Sequence, residues 1–191
     1  EAAYRAGKIL RDRLMTSKEI SFKGRNEIVT DVDLTAEEAI LDLLRAEYPD
    51  FGILAEESTP LESASPFLWV VDPLDGTRNF TLGVPHFCTV VALSYGDQPV
   101  LGVTYDPMRD ELFTAEHGKG AFLDGERLSV SEISELSGSV LSFDLGYADG
   151  NAGLAIDLVR SLWPGLISMR LMGSSALGVA YAAAGRVDLY F

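Results

Sequence analysis

Residues 69–80, with the sequence WVVDPLDGTRNF, constrain the fold of this chain more than any other stretch. They begin as a short apolar run and end in charged and small polar residues, which predicts a buried strand whose acidic end opens into a cleft. Pro73 cannot donate to a strand ladder, so we expect strand pairing to break there. Gly76 tolerates backbone angles that other residues avoid, and we expect a sharp turn between Asp72 and Asp75.

The same stretch combines the parts of a metal-assisted phosphate site. If Gly76 and Thr77 open a short helix, their N–H groups and the positive end of its dipole form an anion site beside Asp72 and Asp75. Carboxylates beside a bound anion need a cation between them, and hard oxygen ligands suit Mg²⁺. The alternative is that Asp-Pro-x-Asp-Gly is only a turn, because those residues dominate turns. The pentapeptide alone leaves both interpretations open.

Other carboxylates end apolar segments in the same way, which favours the site over the simple turn. The run 52–55 predicts a short buried strand that ends in Glu56 and Glu57, with negative charge at one edge of a sheet. Upstream, Asp31 and Asp33 precede a predicted helix at about residues 35–47. They are therefore expected near a helix N-terminus, where the dipole favours a carboxylate.

A capping box is the predicted start of that helix. Thr35 and Glu38 have the required spacing of three residues, and an apolar stripe follows them. The sequence ends the helix at Tyr48, which precedes a proline.

The apolar residues in the rest of the chain follow two different patterns. Residues 87–130 show strand patterns separated by tight turns, which predicts an antiparallel meander. Beyond residue 130 strands and helices alternate. We therefore predict an N-terminal α+β domain at residues 1–131, which contains the acidic motif, and the start of an α/β domain at residues 132–191.

Charge and composition exclude several classes of function. The net charge of −14 would repel a nucleic acid, so we expect no nucleic-acid partner. No apolar run approaches the length of a transmembrane helix and no signal peptide is visible, so we expect no membrane partner. The only cysteine, Cys88, cannot form an internal disulfide and suits a reducing compartment. We therefore expect a cytoplasmic protein.

Three motifs together make the chain resemble the inositol monophosphatase family over essentially its whole length. They are the acidic pair 56–57, the Asp-Pro-Leu-Asp-Gly-Thr-x-Asn-Phe segment 72–80 and the Gly-Ser-Ser-Ala segment 173–176. The resemblance implies an α/β (α+β) fold, a layered α-β-α-β-α sandwich of the inositol monophosphatase/fructose bisphosphatase type. It also implies lithium-sensitive hydrolysis of a small phosphate monoester by metal-activated water, with on the order of two to three Mg²⁺ ions per site. Relatives are commonly homodimers, and the apolar meander at residues 87–105 is a candidate interface.

The resemblance assigns metal ligands by position. It implies that Glu56, Asp72 and the carbonyl of Leu74 hold the first ion, and that Asp72 and Asp75 hold the second. Glu56 would also face a weaker third ion. Glu57 matches the second acid of the family's pair and would support the site.

The resemblance also assigns the groups that act on water and phosphate. It implies that Thr77, with Asp33 behind it, orients the attacking water, and that the N–H groups of Gly76 and Thr77 bind the phosphate. Family members carry a later substrate-contacting glutamate and a Trp-Asp-x-x-Ala-Gly segment whose aspartate completes the second metal site. The sequence stops at Phe191 before both, so we expect a C-terminally incomplete fold or a homologue with a defective second site.

Several other functions stay open at this point. Inositol monophosphate is the first candidate substrate, followed by fructose 1,6-bisphosphate and by other sugar or nucleotide phosphates. Phosphatases of the haloacid dehalogenase type use a nucleophilic aspartate in Asp-x-Asp-Gly-Thr, but the spacing here is one residue longer. A third alternative is a non-catalytic homologue that binds metal and a phosphorylated ligand without turnover.

Overall fold

The computed structural model describes residues 1–24, 27–146 and 149–191, apart from the side chain of Asp149. The described elements up to residue 131 are, in chain order, α1 (Ala2–Arg13), β1 (Ile20–Phe22), β2 (Ile28–Thr30), α2 (Asp31–Glu47), β3 (Gly52–Ala55), β4 (Phe67–Asp75), α3 (Thr77–Thr81), β5 (Cys88–Tyr95), β6 (Gln98–Asp106), β7 (Glu111–Glu116), β8 (Gly120–Leu123) and β9 (Glu126–Arg127). They are followed by β10 (Val140–Phe143), α4 (Asp149–Leu162), β11 (Ser168–Leu171), α5 (Ser175–Ala183) and β12 (Leu189–Tyr190). Short 3₁₀ turns lie at Leu136–Gly138 and Trp163–Gly165.

A seven-stranded sheet with the order β3-β4-β5-β6-β7-β8-β9 forms the centre of the structure. Strands β3 and β4 are parallel, and every later neighbour is antiparallel, which confirms the predicted meander. Successive residues of a strand point to opposite faces. Accordingly Val91 packs in the core that contains α1 and α2, whereas Val90 packs with Leu177 of α5. The sheet therefore carries helices on both faces.

A three-stranded parallel sheet with the order β11-β10-β12 forms the second sheet. Helix α5 contacts β5 and β6 of the large sheet as well as β10 and β12 of the small one, so it lies between them. The connections through α4 and α5 run in opposite directions across the small sheet, and right-handed crossovers then place these helices on its opposite faces. The layers follow the order α-β-α-β-α, as the family resemblance implies.

Helix α2 starts earlier than predicted. It begins at Asp31, with Thr30 as its N-cap and a capping box between Thr30 and Asp33. The predicted capping box of Thr35 and Glu38 is therefore wrong. Thr30 is the last residue of β2, and its side-chain oxygen and N–H both pair with Asp33, so the helix follows the strand without a loop.

Strand β4 continues past the point where we expected it to break. Its pairing with β5 runs to Asp72, shifts by one residue, and resumes at Asp75, which is a β-bulge. Pro73 sits in this bulge, where no ladder donor is needed, and its carbonyl accepts a hydrogen bond from Thr89 Oγ1 at 2.9 Å. The sharp turn therefore follows Asp75, at Gly76 with φ of 95°, and does not lie between the two aspartates.

The alternating strands and helices predicted after residue 130 are present. The large sheet ends with β9 and the small sheet begins with β10, and the boundary predicted at residue 131 falls between them and stays a prediction. No helix within residues 1–24, 27–146 and 149–191 is long and apolar enough to cross a membrane.

Candidate active site

The acidic residues predicted from the sequence meet where β3 and β4 end. The two strands are parallel neighbours with Ala55 opposite Val71, so Glu56 and Asp72 follow side by side. The Glu56 N–H donates to the carbonyl of Val71 at 3.1 Å, which extends the ladder by one residue. Asp75 ends β4 after the bulge. This strand geometry gathers three carboxylates of like charge.

The electrostatic effect of this crowding is seen in the pKa of Asp72. Burial, the neighbouring carboxylate of Glu56 and the charge of Asp75 raise the pKa of Asp72 well above its usual range. The N–H of Leu74 donates to Asp72 Oδ1 at 3.0 Å and lowers that pKa in part. Negative charge at Asp72 is therefore unfavourable without a cation nearby.

Asp33 and Thr77 are brought together, although they are far apart in sequence. Asp33 lies in the first turn of α2 and is 1% exposed. The Thr77 hydroxyl lies 3.3 Å from Asp33 Oδ1 and 3.0 Å from the carbonyl of Leu74, either of which can accept its proton. Burial raises the pKa of Asp33, while donors from Thr30 and Thr77 lower it in part.

The acid pair after β3 is held by two residues that the sequence analysis missed. Glu37 of α2, 1% exposed, accepts the N–H of Glu57 at 2.8 Å and the hydroxyl of Ser58. Lys23 Nζ lies 2.6 Å from Glu57 and 3.5 Å from Glu56. The signal for Glu37 was its position one helical turn after Asp33, on the same face of α2. Lys23 gave no signal, because its loop is remote from the pair in sequence.

Asp75 is held by the start of α5. The hydroxyl of Ser174 and the N–H of Ala176, at 3.0 Å, donate to its Oδ2. The N–H and hydroxyl of Ser175 lie 3.3 and 3.1 Å from Oδ1. The thiol of Cys88 is 3.7 Å from Oδ2, and burial raises the pKa of that thiol well above its ordinary value. The N-terminus of α5 also favours a negative charge at this place.

The donor set fits a hard divalent cation, although the carboxylates are turned to protein partners. Within the described parts of the chain, no three His, Cys, Asp or Glu side chains are arranged as a metal site. Glu56 faces Lys23 and Asp75 faces α5. Carboxylate and carbonyl oxygens are nevertheless the ligands that Mg²⁺ prefers, and a cation would relieve the repulsion at Asp72. An ion would therefore replace some of these protein partners.

Comparison with known proteins gives concordant matches. The model of the inositol monophosphatase family matches residues 1–191. Nus factor SuhB of Escherichia coli K12 is 42% identical over 194 residues, which cover all of this chain and 73% of that protein. Inositol monophosphatase 3 of Solanum lycopersicum is 37% identical over 199 residues, which cover all of this chain and 74% of that protein.

A solved structure confirms the predicted fold type. The extragenic suppressor protein suhB of Bartonella henselae superposes with a TM-score of 0.93 at 38% identity. The match covers 97% of this chain and 73% of that one. The layered arrangement described above is therefore shared with a solved relative.

Proposed function

Because the chain belongs to the inositol monophosphatase family, we propose that it is a Mg²⁺-dependent, lithium-sensitive phosphatase that hydrolyses a small phosphate monoester, with inositol monophosphate as the first candidate. One observation carries this proposal. The carboxylates of Glu56, Asp72 and Asp75 lie together at the end of the strands. The buried pair Asp33–Thr77 lies beside them. A protein that only binds a ligand has no need of a pair that can orient water. The presence of inositol monophosphatases among the relatives supports the same reaction.

In this proposal the metal-holding groups are Glu56, Asp72, Asp75 and the carbonyl of Leu74, with Glu57 in support. Bound Mg²⁺, on the order of two to three ions, would lower the pKa of water and stabilise negative charge on the phosphate. The protein would otherwise supply position and hydrogen bonds.

Two groups of the chain would position the reactants. The Thr77 hydroxyl can donate its hydrogen bond to Asp33 Oδ1 or to the carbonyl of Leu74, and in either case its oxygen lone pairs can accept a hydrogen bond from the attacking water. The N–H groups of Gly76 and Thr77, at the start of α3, would bind phosphate oxygens. Because Asp33 is buried and its position is set by the capping box, this orientation is rigid.

We further propose a cytoplasmic homodimer whose ligand is a small phosphate ester and which binds neither nucleic acid nor membranes. The single cysteine and the net charge of −14 support the location and the absence of a nucleic-acid partner. Fructose 1,6-bisphosphate and other sugar or nucleotide phosphates are the alternative substrates within the family.

One observation favours a second candidate function. The E. coli relative at 42% identity is named a Nus factor and not a phosphatase. The alternative is therefore a homologue that binds metal and a phosphorylated ligand without turnover. The protein donors that occupy Glu56 and Asp75 are compatible with either function.

Phosphate release from inositol 1-phosphate and fructose 1,6-bisphosphate, with Mg²⁺ and then with added Li⁺, tests the proposal. We expect release that lithium suppresses, and the ratio of the two rates identifies the better substrate. Asp72→Asn should abolish turnover because it removes a carboxylate from the centre of the cluster. Glu62→Gln, at an exposed loop position, is the matched control and should change little. Equal activity in the two variants contradicts the assignment, and Mg²⁺ binding without any release favours the second candidate.

A further inference from the structure

Asn79 links α3 to the turn that precedes α5. Its Nδ2 lies 2.6 Å from the carbonyl of Met172, 2.8 Å from that of His86 and 3.3 Å from that of Gly173. An amide NH₂ has two protons, so the two short contacts are its main hydrogen bonds and the third is shared. One side chain thereby joins the acidic motif to a segment more than ninety residues later.

The turn that Asn79 holds has little freedom to move. Gly173 adopts φ of 75°, and its N–H donates to Asp144 Oδ1 at 2.9 Å on the other side. A Cβ atom at Gly173 would lie 3.2 Å from Asn79 Nδ2, so the amide packs directly against the turn. The carbonyl of Gly173 also lies close to Gly76, where an added Cβ would meet it at 3.1 Å. The two turns are therefore in contact.

The residues immediately after this turn are the ones that hold Asp75. Ser174, Ser175 and Ala176 donate to its two oxygens through two hydroxyls and two N–H groups. These donors belong to the first turn of one helix, so a shift of the turn at Gly173 displaces them together.

We propose that Asn79 is a positioning residue for Asp75, which acts by fixing the turn at residues 172–173 and thus the donors at the start of α5. The hydrogen bonds of Asn79 to described residues go to the carbonyls of His86, Met172 and Gly173 and not to the Asp75 carboxylate. The proposal rests on the proposed function in one respect, because Asp75 is expected there to bind a metal ion. Groups that orient a metal ligand commonly change metal affinity by about 10–100-fold when they are removed.

Two variants distinguish the effect of losing the hydrogen bonds of Asn79 from the effect of losing its side-chain volume. Asn79→Asp keeps the size of the side chain but replaces the donor by an oxygen that faces carbonyl oxygens. We expect both Asn79→Asp and Asn79→Ala to weaken Mn²⁺ binding by about 10-fold or more. The electron spin resonance signal of free Mn²⁺ measures this binding. Thr81→Ala is the control on the same helix, because the Thr81 hydroxyl donates locally, to the carbonyl of Arg78 at 2.9 Å. It should bind Mn²⁺ as the unaltered chain does.

A double variant and a metal-free measurement test the proposed route. If Asn79 acts through α5, the combined loss of Mn²⁺ affinity in Asn79→Ala with Ser174→Ala should be less than the product of the single losses. Hydrogen exchange of the Ala176 amide without metal should be faster by about 10-fold in Asn79→Asp but unchanged in Thr81→Ala. Unchanged Mn²⁺ affinity in Asn79→Asp, unchanged exchange at Ala176, or independent losses in the double variant would overturn the proposal.

Two further outcomes are distinguishable. If the unaltered chain binds no Mn²⁺, the metal part of the proposed function fails, and exchange at Ala176 alone decides the role of Asn79. If the Asn79 variants do not fold, Gly173→Ala disturbs the same contact from the turn side. Unchanged Mn²⁺ affinity in Gly173→Ala would then reject the positioning role, and weakened affinity would support it.

Discussion

Replacement of Glu37 by alanine should destabilise the protein and disturb the acid pair after β3. The Glu37 carboxylate is 1% exposed and accepts two hydrogen bonds, from the N–H of Glu57 at 2.8 Å and from the hydroxyl of Ser58. Hydrogen bonds to a charged group contribute about 1.5–3 kcal/mol each. Their sum is reduced because the variant no longer buries a carboxylate. We therefore expect a loss of about 3 kcal/mol in the free energy of unfolding.

Glu37→Gln is the matched variant of the same shape. Its carbonyl oxygen can still accept the N–H of Glu57, and its amide can donate to Ser58, whose hydroxyl oxygen accepts. We expect a loss of about 1 kcal/mol from exchanging a charged acceptor for a neutral one. Phosphate release should persist in Glu37→Gln and fall in Glu37→Ala, because Glu56 is displaced with its neighbour.

Urea unfolding followed by circular dichroism measures these differences. Glu38→Ala, at an exposed position on the same helix, should change the free energy of unfolding by less than about 0.5 kcal/mol. The reasoning is refuted if Glu37→Ala costs no more than Glu37→Gln, or no more than Glu38→Ala. A change in the slope of the urea dependence would indicate an altered unfolded state, and the comparison would then use midpoints and slopes together.

Two other predictions follow from the site and from the sheet. Thr77→Ala should leave Mn²⁺ affinity unchanged and lower the single-turnover rate by about 10²-fold or more, because it removes the hydroxyl that orients water and leaves the Leu74 carbonyl, a proposed metal ligand, in place. A matching loss of Mn²⁺ affinity would show that the Thr77 hydroxyl contributes to metal binding instead. The proposed homodimer should give twice the mass of one chain in sedimentation equilibrium, and a single species of one-chain mass at micromolar concentration would reject it.

Periodicity predicted the sheets well because their apolar patterns are local. The strand Gly52–Ala55 and the meander at residues 87–130 are bounded by turn residues that leave little choice of element. The start of α2 was harder to predict, because Thr35 and Glu38 have the same spacing as the true capping box. Only the approach of β2 selects Thr30, and that depends on strand pairing between Ile20–Phe22 and Ile28–Thr30.

The residues of the candidate site also differ in how well the sequence predicts them. Glu56, Asp72 and Asp75 could be identified because each comes at or near the end of an apolar strand, where a carboxylate has no packing role. Glu37 was harder to identify. Its position one turn after Asp33 puts it on the same face of α2, but a charged residue inside a helix is usually solvent-exposed and nothing local shows that its partner is the N–H of Glu57. Asn79 lay within the recognised motif, but its contacts are with residues far along the chain. Polar contacts between residues far apart in the chain produce no periodic pattern in the sequence that could predict them.

Donors at the start of α5 hold Asp75, and α5 packs between the two sheets. The acidic site therefore depends on both sheets. A carboxylate has about four lone-pair positions, and Asp75 faces five donors among the described residues, of which the Cys88 thiol is the weakest. A cation that binds Asp75 must therefore displace at least one of them. The donors on Oδ1, both from Ser175, are longer than the Ala176 N–H contact to Oδ2, so Oδ1 is the oxygen that gives up a donor most readily. We therefore expect ion binding to loosen Ser175 while Ser174 and Ala176 keep Asp75 in place.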